Sequence, residues 1–213
     1  MTPEDEPDAA PRVCVVYYSA TGTVAALAHA LADGARTSGA HARVRRVAET
    51  APASAVDANV RWREFADTSA GPEGDRVVEL DDLTWADGLA FGSPTRFGGP
   101  ASQLKAFLDT TGSLWFRGEL ADKVCTSFTA ASTLHGGLES TVLAINNHFY
   151  HWGSLVMPLG YQEPHVARQS GNPYGASFVS RSSAPVDEVA LEAARLQGAR
   201  LARIVGQLRG TSG

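Results

Sequence analysis

The sequence predicts an α/β domain built on a doubly wound, five-stranded parallel sheet, and three observations predict it. Residues 13–18 (VCVVYY) form a continuous apolar, β-branched run, the composition of a central parallel strand buried on both faces. Strand-like and helix-like segments then alternate along the chain, which argues for helices on both sides of one sheet. Three of the strand-like runs end in polar loops, the places where such sheets bind ligands.

Taken in order, strand one ends in Ser19-Ala20-Thr21-Gly22-Thr23, which opens a helical pattern. Val24, Leu27, Leu31 and Ala35 then share a helical face, and Ser38-Gly39 closes the helix. Residues 42–47 read as a second strand close to an edge. Residues 48–83 hold Pro52, Gly71, Pro72, Gly74 and many acids, and read as a surface excursion with a short helix. Residues 85–92 lead into a third strand, and 93–99 read as a loop from their Pro and Gly content. Pro100 is placed to begin a helix that turns Leu104, Phe107 and Leu108 inward.

Residues 124–129 read as strand four, followed by a polar loop over 130–137. A helix through Val142, Ile145 and Phe149 leads to strand five at 154–158. Residues 161–184 show no periodicity and read as a long loop. In the last helix Ala190, Ala194, Gly198, Leu201, Val205 and Leu208 form one stripe, whose small first half allows close approach to the sheet. With strand order 2-1-3-4-5, Cys14 and Cys125 stand two strands apart, about 9–10 Å, so both are expected as free core thiols.

The length of 213 residues suits one domain with a full core. It is expected over 13–210, with residues 1–12, acidic and proline-rich, as a disordered tail. A net charge of −5 gives no basic footprint, and the arginines at 43, 45 and 46 read as a solvated strand edge, so no nucleic-acid partner is expected. No stretch approaches the roughly 20 apolar residues of a spanning helix. The N-terminus lacks the basic start and apolar run of a secretory signal, so a cytoplasmic chain is expected.

The first loop offers the hydroxyls of Ser19, Thr21 and Thr23, a tight turn at Gly22, and the free N–H groups of a helix start through Val24. These can hold a phosphate without a basic side chain, and they equally suit an ordinary helix cap. There is no G-x-x-x-x-G-K-[ST] for a nucleotide triphosphatase, and no G-x-G-x-x-G follows strand one. The second loop, with Pro94, Thr95, Arg96, Phe97 and Gly98, gives backbone donors, a cation and an aromatic for a flat electron-accepting ring; bare, it also reads as a simple turn. No Ser-His-Asp or Cys-His arrangement supports hydrolysis. His135, His148 and His151 lack the acid or thiol partners of a metal site, so no metal is expected.

Three segments carry a family resemblance: Val15-Val16-Tyr17-Tyr18-Ser19, Ser93-Pro94-Thr95-Arg96-Phe97-Gly98, and Phe107-Leu108-Asp109-Thr110-Thr111-Gly112-Ser113-Leu114-Trp115. They resemble the WrbA family of flavodoxin-like NAD(P)H:quinone oxidoreductases. His135-Gly136-Gly137-Leu138-Glu139 and Asn172-Pro173-Tyr174-Gly175 are similar to further family segments, in the same order. The resemblance implies FMN as cofactor, its phosphate on Ser19, Ala20, Thr21, Gly22, Thr23 and Val24. Its ring would lie along Pro94, Thr95, Arg96, Phe97 and Gly98 and against Ala130, Ala131, Ser132, Thr133, His135 and Gly136. His151 matches a histidine that reaches the flavin region, and Trp115 a tryptophan of the substrate pocket, which Phe97 and His151 would complete.

The partners implied are NADH or NADPH and quinones, and the assembly implied is a homotetramer, or a dimer, with sites near subunit contacts. The reaction expected is two-electron quinone reduction by alternating half-reactions in one pocket. The alternatives are a flavodoxin-type electron carrier and a regulatory flavoprotein without turnover. The chain departs from the family pattern at Thr21, where some members have a tyrosine that touches the nucleotide, and at Thr23. It departs again in a less glycine-rich third loop, and at Trp152 in place of a second histidine. These departures bear on nucleotide and acceptor choice more than on the flavin.

Overall fold

Successive residues of the first strand feed two different cores, and this winds the sheet on both faces. A computed structural model of the chain describes residues 10–161, 163–168, 171–181 and 184–210. In strand β1 (Arg12–Tyr17), Val13, Val15 and Tyr17 join a cluster with Leu27 and Leu31 of α1 (Thr23–Thr37) and Ala194 and Leu201 of α9 (Glu188–Gly210). Cys14 and Val16 face the other way. They meet Leu83 of α4 (Leu80–Trp85), Leu104 and Leu108 of α5 (Ser102–Asp109), and Ile145 and Phe149 of α7 (Leu138–Trp152).

The main strands after β1 are β2 (His41–Arg46), β3 (Gly88–Arg96), β5 (Val124–Ala131) and β6 (Leu155–Val156), ordered β2-β1-β3-β5-β6 and pairing in parallel. This is the expected 2-1-3-4-5 order once the two-residue β4 (Gly99–Pro100) is passed over. The expected count of five is too low. β4 folds back antiparallel on β3, and β7 (Ser177–Val179) pairs in parallel with β5. The fifth position of the sheet is therefore split: β6 pairs Val124 and Cys125, while β7 pairs Thr129 to Ala131 at the other end of β5.

Other sequence expectations change in detail. The 48–83 excursion is largely helical: α2 (Ala53–Asp57) starts after Pro52, and α3 (Val60–Ala70) starts at Asn59, whose side chain accepts from Trp62 N–H. Trp85 ends α4 and does not lead the third strand. Residues 93–96 continue β3, so the expected loop is a hairpin turning at Phe97-Gly98, and Pro100 lies in β4, two residues before α5. The apparent loop over 161–184 carries α8 (Pro164–Arg168) and β7, elements too short for a periodicity to show. Of the expected N-terminal tail, residues 1–9 lie outside the described residues, and Arg12 already pairs with His41 in the sheet.

The small stripe of α9 serves a contact with α1, more than the sheet itself. A Cβ on Gly198 would sit 1.8 Å from the Leu31 carbonyl oxygen, and one on Gly34 1.9 Å from that of Arg195. Between these helices backbone meets backbone. Beside the contact, the fully buried Gln197 ties α9 to β5 and to the approach to β7. Its carbonyl accepts from Ala176 N–H (2.7 Å), and its amide donates to Thr126 Oγ1 (2.6 Å) and the Ser127 carbonyl (2.9 Å). Cys14 pairs Leu89 and Leu89 pairs Cys125, so β3 does separate the two thiols. Both are free and buried, and burial pushes each up to about 12.

Candidate functional site

Because β1, β3 and β5 are adjacent and parallel, their carboxyl ends open side by side: Tyr17 pairs Gly92, Gly92 pairs Phe128, and Pro94 pairs Ala130. The order reverses direction between β1 and β3, the position where open α/β sheets bind ligands. Three helices leave this edge, α1, α5 and α7, and none has a side-chain hydrogen bond at its N-cap. Each start carries the positive end of its helix dipole and first-turn N–H groups that no N-cap side chain satisfies, although at α5 the N-cap N–H of Ala101 donates to Ser93 Oγ (2.8 Å).

At the first loop Gly22 has φ +87°, a left-handed conformation that glycine adopts without strain, and it starts α1. Ser19 and Ala20 are buried, while Thr21, Gly22 and Thr23 are half-buried around that helix start. Val24 points into the core at 1% exposure, which leaves only its backbone N–H for a ligand.

The second and third loops are stapled together through Thr95. Its hydroxyl donates to the Gly136 carbonyl (3.1 Å) and accepts from Gly98 N–H (3.3 Å) and from Thr141 Oγ1 (2.8 Å). Gly137, at φ +96°, lies against Gly98 so closely that a Cβ there would be 2.7 Å from the Gly98 Cα. Thr95 thus spends its side chain on loop geometry. Pro94 is half-buried and Arg96 exposed, donating to the Thr95 carbonyl (3.0 Å). Phe97 adopts φ +53°, uncommon for a bulky residue, and its side chain is fully exposed, with none of the described residues covering it. Ala130 and Ala131 are buried members of β5, so the third loop proper is shorter than expected, with Ser132, Thr133 and His135 exposed and Gly136 half-buried.

Two expected site residues are not brought to these loops within the chain. α7 begins at Gly137, beside the cleft, and His151 lies 14 residues further on, about 21 Å along the helix. The far end of α7 meets the start of β5: Asp122 N–H donates to the Gly153 carbonyl and Ser154 Oγ to the Leu120 carbonyl. Trp115 lies at that same opposite edge of the sheet, in the short helix α6 (Gly112–Phe116) shortly before β5 begins, and is 53% exposed. Within its own subunit the length of α7 therefore separates His151 from these loops.

Sequence reasoning missed Thr141 and Glu49. Thr141 stands one turn past Gly137 and carried no motif of its own. Glu49, three residues past the end of β2, accepts from Tyr18 OH (2.8 Å), Trp62 Nε1 (2.8 Å) and Gln103 Nε2 (2.7 Å), and from Thr50 and Ala51 N–H. Burial alone would raise its carboxyl; the backbone N–H of Ala51 and the Tyr18, Gln103 and Trp62 donors outweigh it and hold the group below the usual carboxylate range.

With this geometry, similarity to known proteins becomes informative. Residues 12–163 match the NADPH-dependent FMN reductase family. The chain is 37% identical over 199 residues to an NAD(P)H dehydrogenase (quinone) of Deinococcus radiodurans, covering 93% of this chain and 98% of that protein. It is 39% identical over 205 residues to one of Azorhizobium caulinodans, covering 93% and 99%. A WrbA-like flavodoxin from Agrobacterium tumefaciens aligns with a TM-score of 0.64 at 26% identity, over 92% of this chain and 98% of that one. Flavodoxin 2 of Bacillus cereus, 14% identical with a TM-score of 0.59 over 91% and 99%, shares the fold. Matches that run along nearly the whole chain, and a sheet whose loops gather as that fold requires, lead to one conclusion: the chain belongs to the flavodoxin-like NAD(P)H:quinone oxidoreductases, within the NADPH-dependent FMN reductase family.

Proposed function

We propose that the chain is an FMN-dependent NAD(P)H:quinone oxidoreductase, a cytoplasmic homotetramer that reduces quinones by two electrons in a ping-pong cycle. One observation carries the reading: three helices without side-chain caps start where the adjacent strands β1, β3 and β5 end, at the switch point of the sheet. The residues present fit the cofactor. A phosphate dianion suits the N–H groups at the start of α1 together with the hydroxyls of Ser19, Thr21 and Thr23, without a basic partner. The hairpin turn at Phe97-Gly98 and the loop over 132–136 offer backbone donors and an exposed aromatic to a flat ring. When bound, FMN supplies the redox chemistry, accepting a hydride equivalent from reduced nicotinamide and delivering two electrons to a quinone.

The protein supplies position and field. Arg96 and the helix starts place positive potential beside the ring position and favour negative charge there. Phe97 gives a flat substrate an aromatic wall. Trp115 and His151, at the far edge of the sheet, can line the same slot only from a neighbouring subunit. The tetramer is proposed on that ground, with the exposed Trp115, Phe116 (84%) and Tyr150 (61%) as the apolar surface such contacts would cover. Free buried thiols suit a reducing compartment.

Purified protein given FMN, NADH or NADPH, and benzoquinone is expected to consume the nucleotide, with parallel double-reciprocal lines. A flavin-bound protein that leaves the nucleotide untouched would be an electron carrier, and the enzymatic reading would fall. Subunit sharing is tested by mixing a Ser19→Ala/Thr21→Ala variant with Trp115→Ala, each inactive alone. Random hybrid tetramers are expected to regain about one quarter of wild-type turnover, because half the subunits hold flavin and half their neighbours carry Trp115. No recovery after verified subunit exchange would exclude sharing.

A further inference from the structure

The helical excursion between β2 and β3 has no assigned role, and its middle helix is held in an unusual way. No residue of α3 is fully buried, so core packing alone does not fix it. Two side chains one turn apart do: Trp62 packs toward the second core and donates its indole N–H to Glu49, while Phe65 leans on the first core. The Phe65 ring edge lies 3.3 Å from where a Cβ on Gly22 would be, so α3 forms one wall of the first strand-end loop. Tyr17, Tyr18, Ser19, Glu49, Trp62 and Phe65 are among the residues that line a cavity of about 70 Å3 there.

Glu49 is the point where this wall is tied to the rest of the site. Its Oε2 accepts from Trp62 and from Tyr18, the residue before Ser19, and its Oε1 from Gln103 in the first turn of α5 and from the Thr50 and Ala51 N–H groups. One carboxylate thus joins the end of β1, the wall helix and the helix that follows the second loop.

We infer that Glu49 is a positioning residue for the phosphate cradle: it latches α3 against Gly22 and so fixes the loop from Ser19 to Thr23. The inference rests on the FMN reading above. A carboxylate is required because every group facing it donates. In Glu49→Gln the amide nitrogen must replace one oxygen. Facing Oε1's three N–H donors is the worse choice, so it takes the Oε2 place. There the Tyr18 hydroxyl can turn and accept, but the indole N–H can only donate, and Trp62 is expelled. The substitution releases the wall while leaving β1 and α5 attached.

The test compares FMN with riboflavin, which lacks the phosphate, by flavin fluorescence quenching. Glu49→Gln is expected to weaken FMN about tenfold, the scale of one hydrogen bond to a charged group, with riboflavin affinity unchanged. The Trp62 indole N–H resonance, assigned by its loss in Trp62→Phe, should shift upfield in Glu49→Gln. Trp62→Phe alone should weaken FMN to a similar extent, and the double variant no further, because both changes cut one bond. Equal weakening of FMN and riboflavin, or additive effects, would overturn the latch and leave a general structural role. Unchanged FMN affinity would overturn it as well. If the wild type binds neither flavin, the cofactor reading itself fails and takes the cradle with it, whereas an unmoved indole resonance in a flavin-binding protein refutes the latch alone.

Discussion

Gly198→Ala should cost the protein about 3 kcal/mol or more, because a single methyl has nowhere to go. The added Cβ would lie 1.8 Å from the Leu31 carbonyl oxygen, 2.8 Å from its carbon and 3.1 Å from the Ala35 nitrogen. All three are backbone atoms in the middle of α1, so no rotamer change relieves the overlap. The two helices must instead move apart along their crossing. That opens the packing of Leu27, Leu31, Ala35, Ala194 and Leu201, each at most 1% exposed. For a chain of this size the loss corresponds to a fall in melting temperature of about 10 °C. Gly34→Ala meets the Arg195 carbonyl oxygen at 1.9 Å and should behave alike. A thermal melt of Gly198→Ala within about 2 °C of the wild type would show that the helices do not touch as described.

Gly137→Val should leave the fold standing and take away the flavin. Gly137 lies at the rim, and its φ of +96° is a conformation that a β-branched residue pays heavily to adopt. Its Cβ would stand 2.7 Å from the Gly98 Cα and 3.2 Å from the Gly98 nitrogen. The third loop would swing off the second, and the bond from Thr95 to the Gly136 carbonyl would break. The proposed ring position has these two loops as its borders. A fall in FMN affinity of at least about a hundredfold, near 2.7 kcal/mol, is the expected outcome by titration, with the far-ultraviolet dichroism unchanged. Retained affinity would mean that the ring binds elsewhere.

How much of this was legible in the sequence depends on the range over which each signal acts. The central strand at residues 13–18 and the helix after Thr23 are coded by local apolar runs and periodicity, and they stand within a residue of where they were expected. The hairpin at Phe97 was not legible. A Pro-Thr-Arg-Phe-Gly-Gly string has the composition of a loop, and only pairing with Gly99 and Pro100 makes strand of it. The same holds for β7, three residues long and defined by its partner. In the candidate site the three loops that carried the resemblance lie at the adjacent carboxyl ends of β1, β3 and β5. The opposite placement of Trp115 and His151 needed the direction of α7. Glu49 was invisible because its side-chain partners lie 13, 31 and 54 residues away. No local pattern marks such a carboxylate.

The divided fifth position of the sheet has a consequence for solubility. A long outer strand with unpaired amides is a template on which another copy can add, the first step toward fibrils. Here that border is covered by one fragment of two residues and one of three, engaging opposite ends of β5. Neither fragment is long enough to recruit a stranger's strand in register. Strand addition at this border should therefore be disfavoured, and a deletion that fused the fragments into one uninterrupted border should raise thioflavin-positive polymerisation of concentrated protein.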